Sequence, residues 1–157
     1  MSFALSPEAK SRVDRIIGRY PERPAALLPV LHVIQREQGR ISPEAVAWVA
    51  AVLGVPPLRV REVLSFYSLL RREPAGRYVI QVCRNISCSL AGGEEILGHL
   101  ETRLGVRAGG TTSDGKFTLL AVECLGNCDH APCLMVNDDD HGPVTRDLVD
   151  RLLEELS

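Results

Sequence analysis

The 157-residue sequence predicts an α+β chain, a small N-terminal helical bundle followed by an α/β domain. Three observations predict it. Apolar residues recur at helical spacing through the first half, behind Ser-Pro-Glu and Pro starts. The period changes after the turn-rich stretch RREPAGRY (71–78), where short β-branched runs alternate with longer helical patterns. All five cysteines fall in the second half, as Cys83 and Cys88 and then Cys124, Cys128 and Cys133. The boundary is expected near residue 75, giving domains of 1–75 and 76–157.

The elements follow in order. Ser6-Pro7-Glu8 reads as an N-cap, an N1 proline and a first-turn acid. Val13, Ile16, Ile17 and Tyr20 then line one face before Pro21. Leu27, Val30, Leu31 and Ile34 repeat the spacing, with Gly39 placed to end the helix and Pro29 demanding a late start or a kink. Ser42-Pro43-Glu44 opens a third helix with Val46, Val49, Ala50 and Leu53 inward and Gly54 at its close. Pro57 opens a fourth, with Val60, Val63, Leu64 and Tyr67 in register. Four short amphipathic helices with tight connections make a bundle. In the second half, RYVIQVC (77–83) predicts a buried strand. A single helix is expected over 89–105, carried by Ile96, Leu97, Leu100 and Leu104. FTLLAVE (117–123) and CLMVN (133–137) predict two more strands, and HGPVT leads into a last helix with Val149, Leu152, Leu153 and Leu156 inward. The order β–α–β–β–α suggests a sandwich of helices on a mostly buried sheet.

Composition bounds the function. A content of 45% hydrophobic and 24% charged residues belongs to a soluble globular chain, and the 4% aromatic content leaves aliphatic side chains to fill the core. The longest apolar run, AVAWVAAVLGV (45–55), is too short to cross a bilayer, so membrane association is expected only through partners. MSFALSPEAK lacks a basic stretch followed by an apolar one, so export is not expected and the thiols should sit in a reducing cytosol. There, paired cysteines mark metal or redox chemistry more often than structural disulfides. Charge is uneven: residues 1–75 carry eleven Lys/Arg against seven Asp/Glu, and residues 76–157 carry seven against thirteen.

The pairs Cys83-x4-Cys88 and Cys124-x3-Cys128 each begin where a predicted strand ends, the position at which open α/β sheets place their sites. Two such loops side by side can bring four sulfurs together. Several fillings compete. A dithiol redox centre wants C-x-x-C, which neither pair supplies. A structural zinc is compatible with the spacing. A Rieske centre needs two histidines, and only His130 lies near a pair. A [2Fe-2S] cluster takes two thiolates per iron and tolerates varied spacing. Cys133, after Pro132 and at the start of an apolar strand, reads as a small buried hydrophobe outside the ligand set. Cys83, Cys88, Cys124 and Cys128 are the expected ligands, with Gly126 letting the backbone turn N–H groups toward sulfur. His130 reads as a surface loop residue, and Asp138-Asp139-Asp140 as a solvated turn without the further oxygens that calcium needs.

VLSFYSLLRREPAGRYVIQVCRNISC, followed by DGKFTLLAVECLGNCDHAPCLMVND, closely resembles the thioredoxin-like [2Fe-2S] subunit of NADH dehydrogenases, the NuoE-type small subunit of respiratory complex I. ALLPVLHVIQREQGRIS extends the resemblance into the helical half. The resemblance implies a helical domain before a thioredoxin-like domain, one cluster on the four cysteines, and docking on a larger flavoprotein that holds FMN and binds NADH. It further implies a one-electron store beside the flavin, and a place in the cytoplasm or peripheral on the cytoplasmic side of the inner membrane. NAD-dependent formate dehydrogenases and NAD-linked hydrogenases use the same subunit type. Cys133 departs from the valine or methionine usual there. The acidic second half argues for a low reduction potential.

A second class has to be weighed. VAWVAAVLGVPPLRVREVLSFY has the cadence of a helix-turn-helix, which with a cluster would make a redox regulator. Its second helix offers only Arg59, Arg61 and Glu62 near the start for reading base edges, so no nucleic-acid partner is expected. The chain has no Gly-rich nucleotide loop, and no NADH oxidation by the chain alone is expected.

Overall fold

The computed structural model describes residues 3–156. The chain divides into two compact units, Met1–Pro74 and Ala75–Ser157.

The first unit is helical: α1 (Pro7–Ile17), α2 (Leu27–Gln38), α3 (Pro43–Leu53) and α4 (Pro57–Phe66). The Ser6 and Ser42 hydroxyls accept from the N–H groups of Ala9 and Ala45, as N-cap serines do at helix starts. Gly39 (φ 75°) and Gly54 (φ 68°) close α2 and α3 in the left-handed region. Pro29 causes no kink. It falls in the first turn of α2, where an N–H would have no intrahelical partner, and a short 3-10 turn at Arg23–Ala26 precedes it. Val13, Val30, Leu31, Ile34, Val49, Leu53, Val60 and Leu64 form one aliphatic core. Tyr67 does not join it: α4 ends at Phe66, Tyr67 turns extended, and its ring packs edge-on to Phe66 in exposed surroundings. Gln35 is buried, with its amide donating to Leu69 O at 2.8 Å and accepting from Arg71 N at 2.6 Å, so the last loop of the unit is tied to α2.

The second unit holds β1 (Tyr78–Cys83), α5 (Ile86–Leu90), α6 (Gly93–Leu104), β2 (Phe117–Val122), β3 (Leu134–Val136), β4 (Asp139–His141) and α7 (Arg146–Glu155). The sheet order is β2-β1-β3-β4. β1 runs parallel to β2, from Tyr78 opposite Phe117 to Cys83 opposite Val122, and antiparallel to β3. Ile80, Val82, Leu119 and Leu134 from the sheet pack with Ile96 and Leu100 of α6 and Val149 and Leu153 of α7. Asp150 of α7 accepts from His99 at 2.8 Å and pairs with Arg103, tying the two helices.

Two expectations in the second unit need correction as well. The single helix over 89–105 is two helices, broken at Gly92 (φ 93°), and the first already begins at Ile86 and carries Cys88. Asp139 and Asp140, expected in a turn, form the exposed edge strand β4, with Asn137 and Asp138 at the hairpin.

Candidate metal centre

The centre is built where β1 and β2 end side by side. Parallel pairing brings Cys83, the last residue of β1, opposite Val122, two residues before Cys124. Beyond the strands, Arg84 N donates to Val122 O at 2.9 Å. The Arg84 guanidinium donates twice to Glu123 Oε1, at 3.0 and 2.8 Å. That pairing holds the Glu123 carboxyl below its ordinary range. The two cysteine-bearing loops are thereby pinned to each other next to their thiols.

Cys83 and Cys88 are both buried, and Cys133 is buried with them. The three Sγ atoms lie within 4.8 Å of one another, with Cys88 and Cys133 at 3.5 Å. The strand pairing explains it: Cys133 O accepts from Cys83 N at 3.1 Å, just beyond the β1–β3 ladder. Cys124 and Cys128 form a second, exposed pair with sulfurs 3.5 Å apart. Gly126 (φ 84°) makes the tight turn between them and its N–H donates to Cys124 Sγ at 3.3 Å, the arrangement its sequence position suggested. The two groups adjoin, because Leu125 of the exposed loop packs on the buried trio and its N–H donates to the Cys83 sulfur.

The thiols are tuned apart. Burial works to raise Cys83, but N–H donation from Asn85 and Leu125 and interaction with the Cys88 and Cys133 thiols outweigh it and hold Cys83 below its ordinary value. Cys88 is raised by burial and by Cys83. Cys133 is pushed up to about 12 by burial and then by Cys88, and stays a neutral thiol at pH 7. Cys128 is raised by its neighbour Cys124. Closely spaced sulfurs cannot all ionise unless a cation shares their charge, the condition a metal centre supplies. A tetrahedral metal with bonds of about 2.3 Å sets its thiolates about 3.8 Å apart, close to the 3.5 Å of the exposed pair. Thiols in adjacent groups, with N–H donors aimed at sulfur, are the donor set an iron–sulfur cluster takes.

Sequence reasoning anticipated the burial of Cys133 but not that its sulfur meets Cys88. The missing signal was the β1–β3 pairing, which no local pattern prints. Gly93 was also missed. A Cβ there would lie 2.8 Å from Cys88 O and 3.1 Å from Cys83 O, so the start of α6 rests directly on the backbone of the buried cysteines. His130 sits on the exposed loop, its Nδ1 3.0 Å from Asn127 Oδ1.

Clustered thiols at the strand ends of a small α/β unit define an iron–sulfur or thiol-redox domain, and the wider comparisons choose between these. Residues 13–157 match the thioredoxin-like [2Fe-2S] ferredoxin family. The chain belongs to that family, and its cofactor is a [2Fe-2S] cluster serving electron transfer. It is 45% identical to an E-type subunit of the NADH-quinone oxidoreductase of Rhizobium meliloti, over 94% of this chain and 88% of that one. It is 41% identical to the corresponding E-type subunit of the NADH-quinone oxidoreductase of Pseudomonas aeruginosa, over 97% and 92%. In fold it resembles a chain of an NAD+-reducing [NiFe]-hydrogenase, with a TM-score of 0.73 at 24% identity, covering 83% of this chain and 22% of that longer one.

Proposed function

We propose that this chain is the small electron-transfer subunit of the NADH-oxidising module of an NADH:quinone oxidoreductase. Cys83, Cys88, Cys124 and Cys128 hold its cluster, and a partner flavoprotein carries FMN and binds NADH. The observation that carries this reading is the 45% identity, nearly end to end, with an E-type subunit of such an enzyme. A [2Fe-2S] cluster supplies one-electron storage beside a two-electron hydride chemistry. The chain's own residues supply the setting. Cys83 and Cys88 keep one side of the centre dry, while Cys124 and Cys128 face the surface from which an electron must come. N–H groups of Asn85, Leu125 and Gly126 donate to sulfur and stabilise charge there. Ile86 and Leu90, exposed on the helix that carries Cys88, offer apolar area for a partner next to the site. Among the described residues no helix is long and apolar enough to cross a membrane. In this reading the chain sits peripherally on the cytoplasmic side, held there by its partners.

Anaerobically purified protein should contain about two irons and two acid-labile sulfides per chain. It should be EPR-silent when oxidised and show a rhombic spin-half signal on strong reduction. A flavoprotein should co-purify with it, and the flavin-free chain should not oxidise NADH. Stoichiometric zinc without labile sulfide would sink the reading.

A further inference from the structure

Three thiols, not two, meet on the buried side of the centre, and the four-cysteine ligand set leaves the third unused. The residues Cys83, Cys88 and Cys133 are 1%, 1% and 3% exposed, and their sulfurs lie within 4.8 Å of one another. A metal–thiolate bond of about 2.3 Å puts the corners of a three-coordinate site about 4 Å apart. The spacing already present brackets that figure, with 3.5 Å between Cys88 and Cys133 and 4.8 Å as the outer limit.

We propose that the cluster-free chain binds a single copper(I) ion at Cys83, Cys88 and Cys133, with Cys133 as the donor that turns a two-thiol pair into a three-thiol site. Soft thiolates select copper(I), whereas zinc asks for four donors in a closed site. Among the described residues, no fourth histidine, cysteine or carboxylate joins this group within the same span. Leu125 and Ala131 pack against the three cysteines, an apolar flank that suits a soft ion better than a harder, water-carrying one. Backbone N–H groups meet the thiolate charge: Asn85 and Leu125 donate to Cys83, and Cys133 N–H donates to Cys88. Each thiol that ligates gives its proton to solvent, and no electron changes hands. Because Cys83 and Cys88 are shared, copper and the cluster compete for one place, so copper loaded first blocks assembly of the cluster. The geometry is this chain's own and does not depend on the identity of the parent complex.

The test uses the full chain, freed of cluster and kept anaerobic and reduced. Copper(I) is titrated against bathocuproine disulfonate, and copper X-ray absorption counts the bound sulfurs. The exposed pair can itself take copper, so the titration is run in the Cys124→Ser/Cys128→Ser background. One copper per chain with three sulfurs is expected. Adding Cys133→Ala should lower affinity at least tenfold and reduce the count to two. A two-sulfur spectrum already present before Cys133 is replaced, or an affinity that Cys133→Ala leaves unchanged, overturns the proposal. If circular dichroism shows the double-serine chain unfolded, wild type with one equivalent of copper is compared with Cys133→Ala. Three sulfurs against two supports the site, and identical spectra overturn it. Cys133→Ala reconstituted with iron and sulfide should keep a full cluster. Loss of that cluster from a folded chain counts against the four-ligand set instead, and leaves the copper site standing.

Discussion

The two halves of the cysteine centre are made of the same side chain and differ in almost everything else. Cys83 and Cys88 are buried, one at the end of a central strand and one inside a helix, and the backbone around them admits no added atom at Gly93. Cys124 and Cys128 stand exposed on a loop whose shape depends on one left-handed glycine. The buried pair is part of the core's packing and the exposed pair is an attachment to it. A change at the first should therefore be felt as lost stability as well as lost metal. A change at the second should be felt as lost metal alone.

The largest test of that difference replaces one proposed ligand from each side. Cys83→Ser and Cys124→Ser should both lose or badly destabilise the cluster, read as iron content and EPR signal. In cluster-free protein they should part company. Cys83→Ser leaves a hydroxyl among buried thiols and should cost about 1–3 kcal/mol in denaturant unfolding. Cys124→Ser, at the surface, should stay within about 0.5 kcal/mol of the parent. Equal stability loss at both positions would erase the distinction. Alkylation sharpens it: in reduced, cluster-free protein, Cys124 and Cys128 should react on the order of a hundredfold faster than Cys83, Cys88 and Cys133, which need local opening first. The Cys128 rate should keep rising with pH beyond the ordinary thiol range, because Cys124 holds its proton on and the thiolate is the nucleophile.

Two glycines make smaller probes, one on each side. Gly93→Ala drives a Cβ against the carbonyl oxygens of both buried cysteines, and about 1–3 kcal/mol of destabilisation with impaired iron uptake is expected. Gly126→Ala meets no atom within 4 Å and costs only the left-handed backbone, about 1–2 kcal/mol, with the cluster loosened rather than lost. Smallest in its effect on the cluster is Cys133→Ala, at roughly 1 kcal/mol for a void and lost sulfur contacts, with iron content near wild type. An Ala at 126 more damaging than an Ala at 93 would invert the comparison.

How much of this could be read beforehand depended on range. The helical unit was legible because its signals are local: Ser6 and Ser42 cap, Gly39 and Gly54 terminate, and the apolar stripes between them are periodic. Tyr67 misled because periodicity does not announce where a helix stops. In the second unit β1 was legible from its β-branched run and β2 from the short apolar run FTLLAV, but β4, three residues of Asp-Asp-His, has no strand composition and exists only because β3 turns back to pair with it. The helix break at Gly92 was hidden for a related reason. Gly92 is needed for its left-handed φ of 93°, with no atom within 4 Å of an added Cβ, and Gly93 for the Cys88 carbonyl at 2.8 Å and the Cys83 carbonyl at 3.1 Å, contacts that exist only once the chain has folded. Membership of Cys133 in the buried thiol group was invisible in the same way, since it follows from β1–β3 pairing across about fifty residues.

Gly93 carries one further consequence, mechanical in kind. With the carbonyls of Cys83 and Cys88 resting on position 93, no compressible layer separates the head of α6 from the cysteine backbone. Through Asp150, bound to His99 and Arg103, α7 is fastened to the shaft of that same helix. The C-terminal helix therefore stands in series with the sulfurs like a pushrod. A load applied to the outer face of α7 has a direct route to Cys83 and Cys88, through the Asp150 side-chain contacts and then the tight seat of Gly93.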